Sequence, residues 1–158
     1  MLSARPLADR LELAAPALAA VSVRILGRAP EAVRRKVLRA AFDRARDAFN
    51  RGDIEAVTAL FADDVVYLPP PPLCGGEIHG RRAVLAYWHV VYRRYRRSTI
   101  ENLALEEAAP GRIVRRARLR HLGEGADVLE YTILQTTELR AGRVVRQLNE
   151  LYRSPTEA

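Results

Sequence analysis

The chain has 158 residues, of which 49% are apolar, and carries 26 basic against 19 acidic side chains for a formal charge of +7. That length suits one domain with a sizeable core, and the single Cys74 excludes an intramolecular disulfide framework and suits a reducing compartment. Every basic residue except Lys36 is arginine, and alanine is abundant beside it. That pairing is the product of GC-rich coding. With no aromatic interleaving and no recognition motif, the charge is not read as a nucleic-acid footprint.

In chain order, "LAAPALAAVSV" (residues 13–23) is apolar enough to suggest a signal peptide, with Ala17-Leu18-Ala19 resembling a cleavage site. Asp9 and Glu12 sit where a signal is uncharged, Pro16 breaks the run, and Arg24 ends it; the run is also too short to span a bilayer. A cytoplasmic protein without membrane attachment is expected. Residues 1–30 read as an N-terminal helical extension, with short helices at Leu7–Ala15 and Ala17–Leu26 packing on the main body. Residues 31–153 read as the domain proper and 154–158 as a disordered tail.

Pro30 and Glu31 suit a helix start. Val37, Leu38, Ala41, Phe42, Ala45, Ala48 and Phe49 then recur at helical period. Asn50-Arg51-Gly52 is a stop, and Asp53 can cap a second helix whose face is Ile54, Val57, Leu60 and Phe61. Val65–Leu68 reads as a short strand, followed by four prolines and a possible strand at Glu77–His79. Gly80 precedes a third helix over Arg81–Arg96. Four strands follow, Thr99–Ala108, Ile113–Leu122, Val128–Leu139 and Arg143–Tyr152, joined by glycine turns that predict an antiparallel meander. Three helices followed by such a sheet make an α+β domain.

The stretches "AFNRGDIEAVTALFADDVVYL", "IHGRRAVLAYW" and "TTELRAGRVVRQLNELY" resemble the NTF2-like superfamily, in particular its SnoaL-like members, over about residues 33–153. The resemblance implies a cone, three N-terminal helices packed on a strongly curved antiparallel sheet, with a pocket inside. It also implies that the prolines form a stiff rim crossing the mouth. The superfamily holds polyketide cyclases, ketosteroid isomerase, dehydratases, epoxide hydrolases and non-catalytic binding modules, so function must be argued from the site. Ketosteroid isomerase uses a carboxylate base with a tyrosine and a protonated aspartate. Those positions fall here on Pro69, Ala45 and Gln135, so that catalytic set is absent. The arginine and two aspartates of limonene epoxide hydrolase are not matched either: Arg115 can point inward, but no Arg-x-Asp stands on its strand and Asp127 sits by a turn.

Period-two alternation from Gln135 turns Tyr131, Ile133 and Thr137 inward, with Gln147, Asn149 and Leu151 on the last strand and Val65 and Tyr67 on the first. Arg115, Ala117, Leu119 and His121 share one face, opposite Arg116, Arg118 and Arg120. The expected ligand pocket is therefore Tyr67, Trp88, Tyr92, Tyr131, Gln135, Thr137, Gln147 and Asn149. For Trp88 and Tyr92, plain core packing is the competing reading; for the three amides, it is a network bonded to itself. Tyr67, His79, Arg115 and Tyr131 are the candidates for polar catalysis, and His121, near a hairpin end, is expected to be solvated. His79, His89 and His121 lie far apart without a zinc frame, so neither metal nor cofactor is expected.

Two functions stay open. One is a cyclase, isomerase or lyase acting on a small hydrophobic carbonyl or hydroxylated compound. The other is a non-catalytic ligand-binding or dimerising module. A homodimer is expected through the outer sheet face, including Arg116, Arg118, Glu130, Thr132 and Glu138.

Overall fold

The computed structural model describes residues 28–153 except Cys74; the expected arm helices, the tail and Cys74 lie outside the described residues. In chain order the elements are α1 (Glu31–Asn50), α2 (Ile54–Val57), β1 (Phe61–Leu68), a 3₁₀ turn (Pro71–Leu73), β2 (Ile78–His79), α3 (Arg81–Arg94), β3 (Arg97–Ala109), β4 (Arg112–Leu122), β5 (Val128–Arg140) and β6 (Arg143–Leu151).

The stop after α1 is built by three residues. Gly52 adopts φ +76, a left-handed conformation that suits glycine, and its N–H donates to the Phe49 carbonyl. Asp53 accepts from the Ala56 N–H and so caps α2. Asn50 reaches across to β3, where its amide donates to the Ile100 carbonyl and accepts from the Ile100 N–H. One local turn thereby anchors the helix layer to the sheet.

The second helix is shorter than its apolar spacing predicts. Thr58 turns its hydroxyl onto the Ile54 carbonyl, and Phe61, expected on the helix, already opens β1. Phe61 is in register with Val144 of β6, whose N–H donates to the Leu60 carbonyl. Pairing with a distant strand overrides the local period.

The six strands form one sheet in the order β2-β1-β6-β5-β4-β3. The meander β3 to β6 is antiparallel as expected, but β1 runs parallel to β6, so the sheet is mixed. The chain returns to β1 only after building the whole meander, and no local turn encodes that direction. Register shifts at Asn102/Ala104, Glu107/Ala109 and Glu138/Leu139 are bulges that bend the long strands and curve the sheet. On its concave side Phe49, Tyr67, Trp88, Ile100, Leu119 and Ile133 belong to one buried core.

The four prolines divide in two, and Pro71 and Pro72 are exposed. Pro69 and Pro70 are fully buried, and Leu73 is tied back by its N–H to the Pro70 carbonyl and by its carbonyl to the Tyr87 hydroxyl. A proline brings no N–H, so Pro69 and Pro70 are buried without donors to satisfy. On the convex side, Arg118 lies 3.6 Å from Glu101 and Arg120 lies 3.6 Å from Glu130. Among the described residues, no helix is long and apolar enough to cross a membrane.

Candidate functional site

A cavity of about 140 Å³ lies between the helices and the concave sheet. Room for it comes from four small residues on the facing helices, Ala41, Ala45 and Ala48 on α1 and Ala56 on α2, set among larger ones such as Leu38 and Phe42. Larger side chains at these positions would close it. The opposite wall is two cross-strand rows, Arg115–Gln135–Asn149 and Ile113–Thr137–Gln147, running over β4, β5 and β6. All of these except Asn149 line the cavity, with Phe42, Leu60 and Leu139 among the apolar residues that complete it.

The polar groups in the first row have fixed directions. The Asn149 amide donates to the Leu68 carbonyl at 2.7 Å, so its Oδ1 is the atom left to accept from Gln135 Nε2 at 2.8 Å. The carbonyl of Leu68 can only accept, which sets the orientation of both amides. Among the described residues, Gln135 Oε1 is thereby left buried and without a partner, as are Thr137 Oγ1 and Arg115 Nε.

Arg115 is 6% exposed. Its Nη1 donates to Asn102 Oδ1 at 3.0 Å, and its guanidinium lies over the Phe42 ring, 5.2 Å from the centroid. Asn102 in turn donates to Asp43, which Arg46 holds at 2.9 Å. Burial lowers the Arg115 pKa to about 10, with a small opposing influence from nearby Tyr67. The group therefore stays a cation at neutral pH.

Four of the residues singled out from the sequence, Arg115, Gln135, Thr137 and Gln147, line this cavity, and Asn149 stands directly behind Gln135. The others are elsewhere. Trp88 and Tyr67 are core residues in a cluster of rings with Phe49 and Tyr87, and burial pushes the Tyr67 hydroxyl well above the usual tyrosine range. Tyr92 donates its hydroxyl to the Phe49 carbonyl. His79 is on the surface, 3.6 Å from Glu77. None of the four prolines lines the cavity, and Leu151, expected inward, is 42% exposed where β6 ends.

His121 is buried, not solvated. β3 extends to Arg97 and covers the end of β4, so that Ser98 Oγ lies 2.8 Å from His121 Nδ1, while the Tyr131 hydroxyl lies 3.0 Å from Nε2. Burial lowers its pKa to about 4, and the rings of Tyr95 and Tyr131 flank it. Outside the cavity, this trio reads as a satisfied polar plug.

Sequence reasoning missed the helical wall as a site, including Arg44 and Phe42, and named Ala45 only as the aligned position of the isomerase's tyrosine. The available signal was three alanines on a core-facing stripe. Among the described residues, no group of three or more His, Cys, Asp and Glu side chains could hold a metal ion.

The model of the SnoaL-like domain family matches residues 42–147. A search of the curated proteins finds no match. Among solved structures, the chain is similar to a protein from Xanthomonas campestris pv. campestris named as a candidate polyketide cyclase, at 20% identity over 72% of this chain and 88% of that one, with a TM-score of 0.61. It is also similar to Bal32a from a soil-derived mobile gene cassette, at 22% identity over 72% and 87%, with a TM-score of 0.63. A third is an LEH-like epoxide hydrolase from M. tuberculosis, at 16% identity over 72% and 80%, with a TM-score of 0.59. At these identities the likeness shows the fold alone.

Proposed function

The chain belongs to the SnoaL-like domain family, and from that premise we propose that it binds a small, largely apolar molecule between α1 and the sheet, its polar end held by Arg115, Gln135 and Thr137. One observation carries this reading. Three neighbouring residues that line a single cavity each hold a buried polar atom with no partner among the described residues. Such an atom costs about 1–3 kcal/mol, and a ligand that supplies the missing bond recovers that cost.

The chemistry available there is electrostatic. Among the described residues no carboxylate lines the cavity, and Ala45 and Gln135, which do, are the positions that the sequence resemblance aligns with the isomerase's tyrosine and acid. A cyclase, isomerase or lyase reaction on a small hydrophobic carbonyl or hydroxylated compound would rely on Arg115 to stabilise a developing enolate oxygen. The missing base favours a second reading, a ligand-binding module without catalysis. In both readings the protein pairs as a homodimer through the convex sheet face around Arg116, Arg118, Glu130, Thr132 and Glu138. Half-buried Leu134 and Leu148 stand on the same face.

Toluene serves as an apolar probe, followed by the cavity-lining methyl signals in NMR. Wild-type protein is expected to bind it, and Ala45→Leu, which fills the cavity, to lose binding with thermal stability kept or raised. A wild type that takes up no toluene, and from which mass spectrometry recovers no small molecule after purification from its own host, would overturn the proposal.

A further inference from the structure

We infer that the ligand of this cavity is a small apolar carboxylic acid about one ring in size, its carboxylate on Arg115 and a hydroxyl of the same molecule on Gln135. The inference rests on the binding function proposed above and names the class of ligand. The charge follows from what surrounds Arg115. A buried cation is ordinarily matched by a carboxylate, because taking it out of water without a counter-charge is costly. Here, among the described residues, no acid pairs with it. Its one hydrogen bond goes to neutral Asn102, its face is covered by the Phe42 ring, and the acid beyond Asn102 is engaged by Arg46. Among the described residues, the cavity wall holds Arg115 and no acidic side chain. An incoming carboxylate completes the ion pair that the described residues leave open, and Arg115 Nε, which has no partner among them, is a donor still to be satisfied.

The hydroxyl follows from the amide chain. With Asn149 set by the Leu68 carbonyl, the free atom of Gln135 is an acceptor, so its partner must be a donor. Arg115 and Gln135 are direct cross-strand partners. One compact ligand can therefore accept from the first and donate to the second. Thr137 Oγ1, also unpaired, can serve either group. Size follows from volume: about 140 Å³ compares with the roughly 150 Å³ apolar cavity that accommodates benzene.

The test uses the full chain, with 3-hydroxybenzoate and its neutral counterpart 3-hydroxybenzamide titrated calorimetrically and toluene as the uncharged control. The acid is expected to bind about tenfold or more tightly than the amide, the scale of a charge-assisted bond. Arg115→Met is expected to weaken the acid by a similar factor and to leave toluene binding in place. If that variant does not fold, the comparison of acid with amide on the wild type decides alone. An amide that binds as well as the acid, an acid that fails where toluene binds, or an Arg115→Met variant that binds the acid unchanged would overturn the inference and leave the binding cavity standing. Failure of all three probes would overturn both.

Discussion

Replacing Gln135 with leucine separates what its amide does for the fold from what it offers a ligand. Two changes in hydrogen bonding oppose each other. Asn149 Oδ1, in a residue only 1% exposed, loses its donor, at a cost of about 1–3 kcal/mol. The unpaired Gln135 Oε1 disappears at the same time, which removes a penalty of the same size. Leucine is similar in volume, so the packing change is small. Net destabilisation should stay within about 1 kcal/mol, while affinity for a hydroxyl-bearing ligand falls roughly 5- to 150-fold. Asn149→Leu is the contrasting case. It strips the donor from the half-buried Leu68 carbonyl and the acceptor from buried Gln135 Nε2, at about 2–4 kcal/mol together. Urea unfolding of both variants at neutral pH, followed by far-UV circular dichroism, measures the difference. A Gln135→Leu variant destabilised by about 3 kcal/mol or more, or one as damaging as Asn149→Leu, would refute the reasoning.

Three further outcomes are expected. His121 has its pKa lowered from 6.5 to about 4, so the unfolded chain binds the extra proton between these values. Stability should be indifferent to this group above pH 6.5 and fall by about 1.4 kcal/mol per pH unit below it, down to about 4. The slope is measured as the difference in urea midpoint between wild type and His121→Gln, and equal slopes would count against a neutral buried imidazole. Asn50→Ala removes both bonds to the Ile100 backbone and should cost about 2–4 kcal/mol in thermal or urea unfolding; a change under about 0.5 kcal/mol would show that the clamp contributes nothing. Sedimentation at micromolar concentration should find a dimer that Thr132→Arg dissociates, and a wild-type monomer would remove the convex-face pairing.

The concave faces of β4 and β5 were legible in the sequence because side chains alternate by covalent geometry. Once Gln135 is placed inward, Ile133 and Thr137 must follow, and Arg115, Ala117 and Leu119 share a face; all of these are buried. The turn Asn50–Asp53 was legible for the same kind of reason, since a left-handed glycine and a capping aspartate act within a few residues. Alternation also carried the pocket, but only in part. It identifies which strand side chains enter the cone, and four of those named meet at the cavity, whereas Tyr67, and Trp88 taken from helical spacing, are spent on packing.

Contacts between segments far apart in the chain were decided by the tertiary structure alone. The parallel pairing of β1 with β6 ends a helix at Val57 that local periodicity would extend, and it brings the Leu68 carbonyl to Asn149. The cover over His121 comes from where β3 begins, and the neutral partner of Arg115 comes from a strand on which Asn102 looks unremarkable. Side-chain direction along a strand is set by the backbone of that strand. Whether a polar atom so directed finds a partner depends on which distant segment arrives opposite it, and for Arg115 Nε, Gln135 Oε1 and Thr137 Oγ1 no segment of the described chain does.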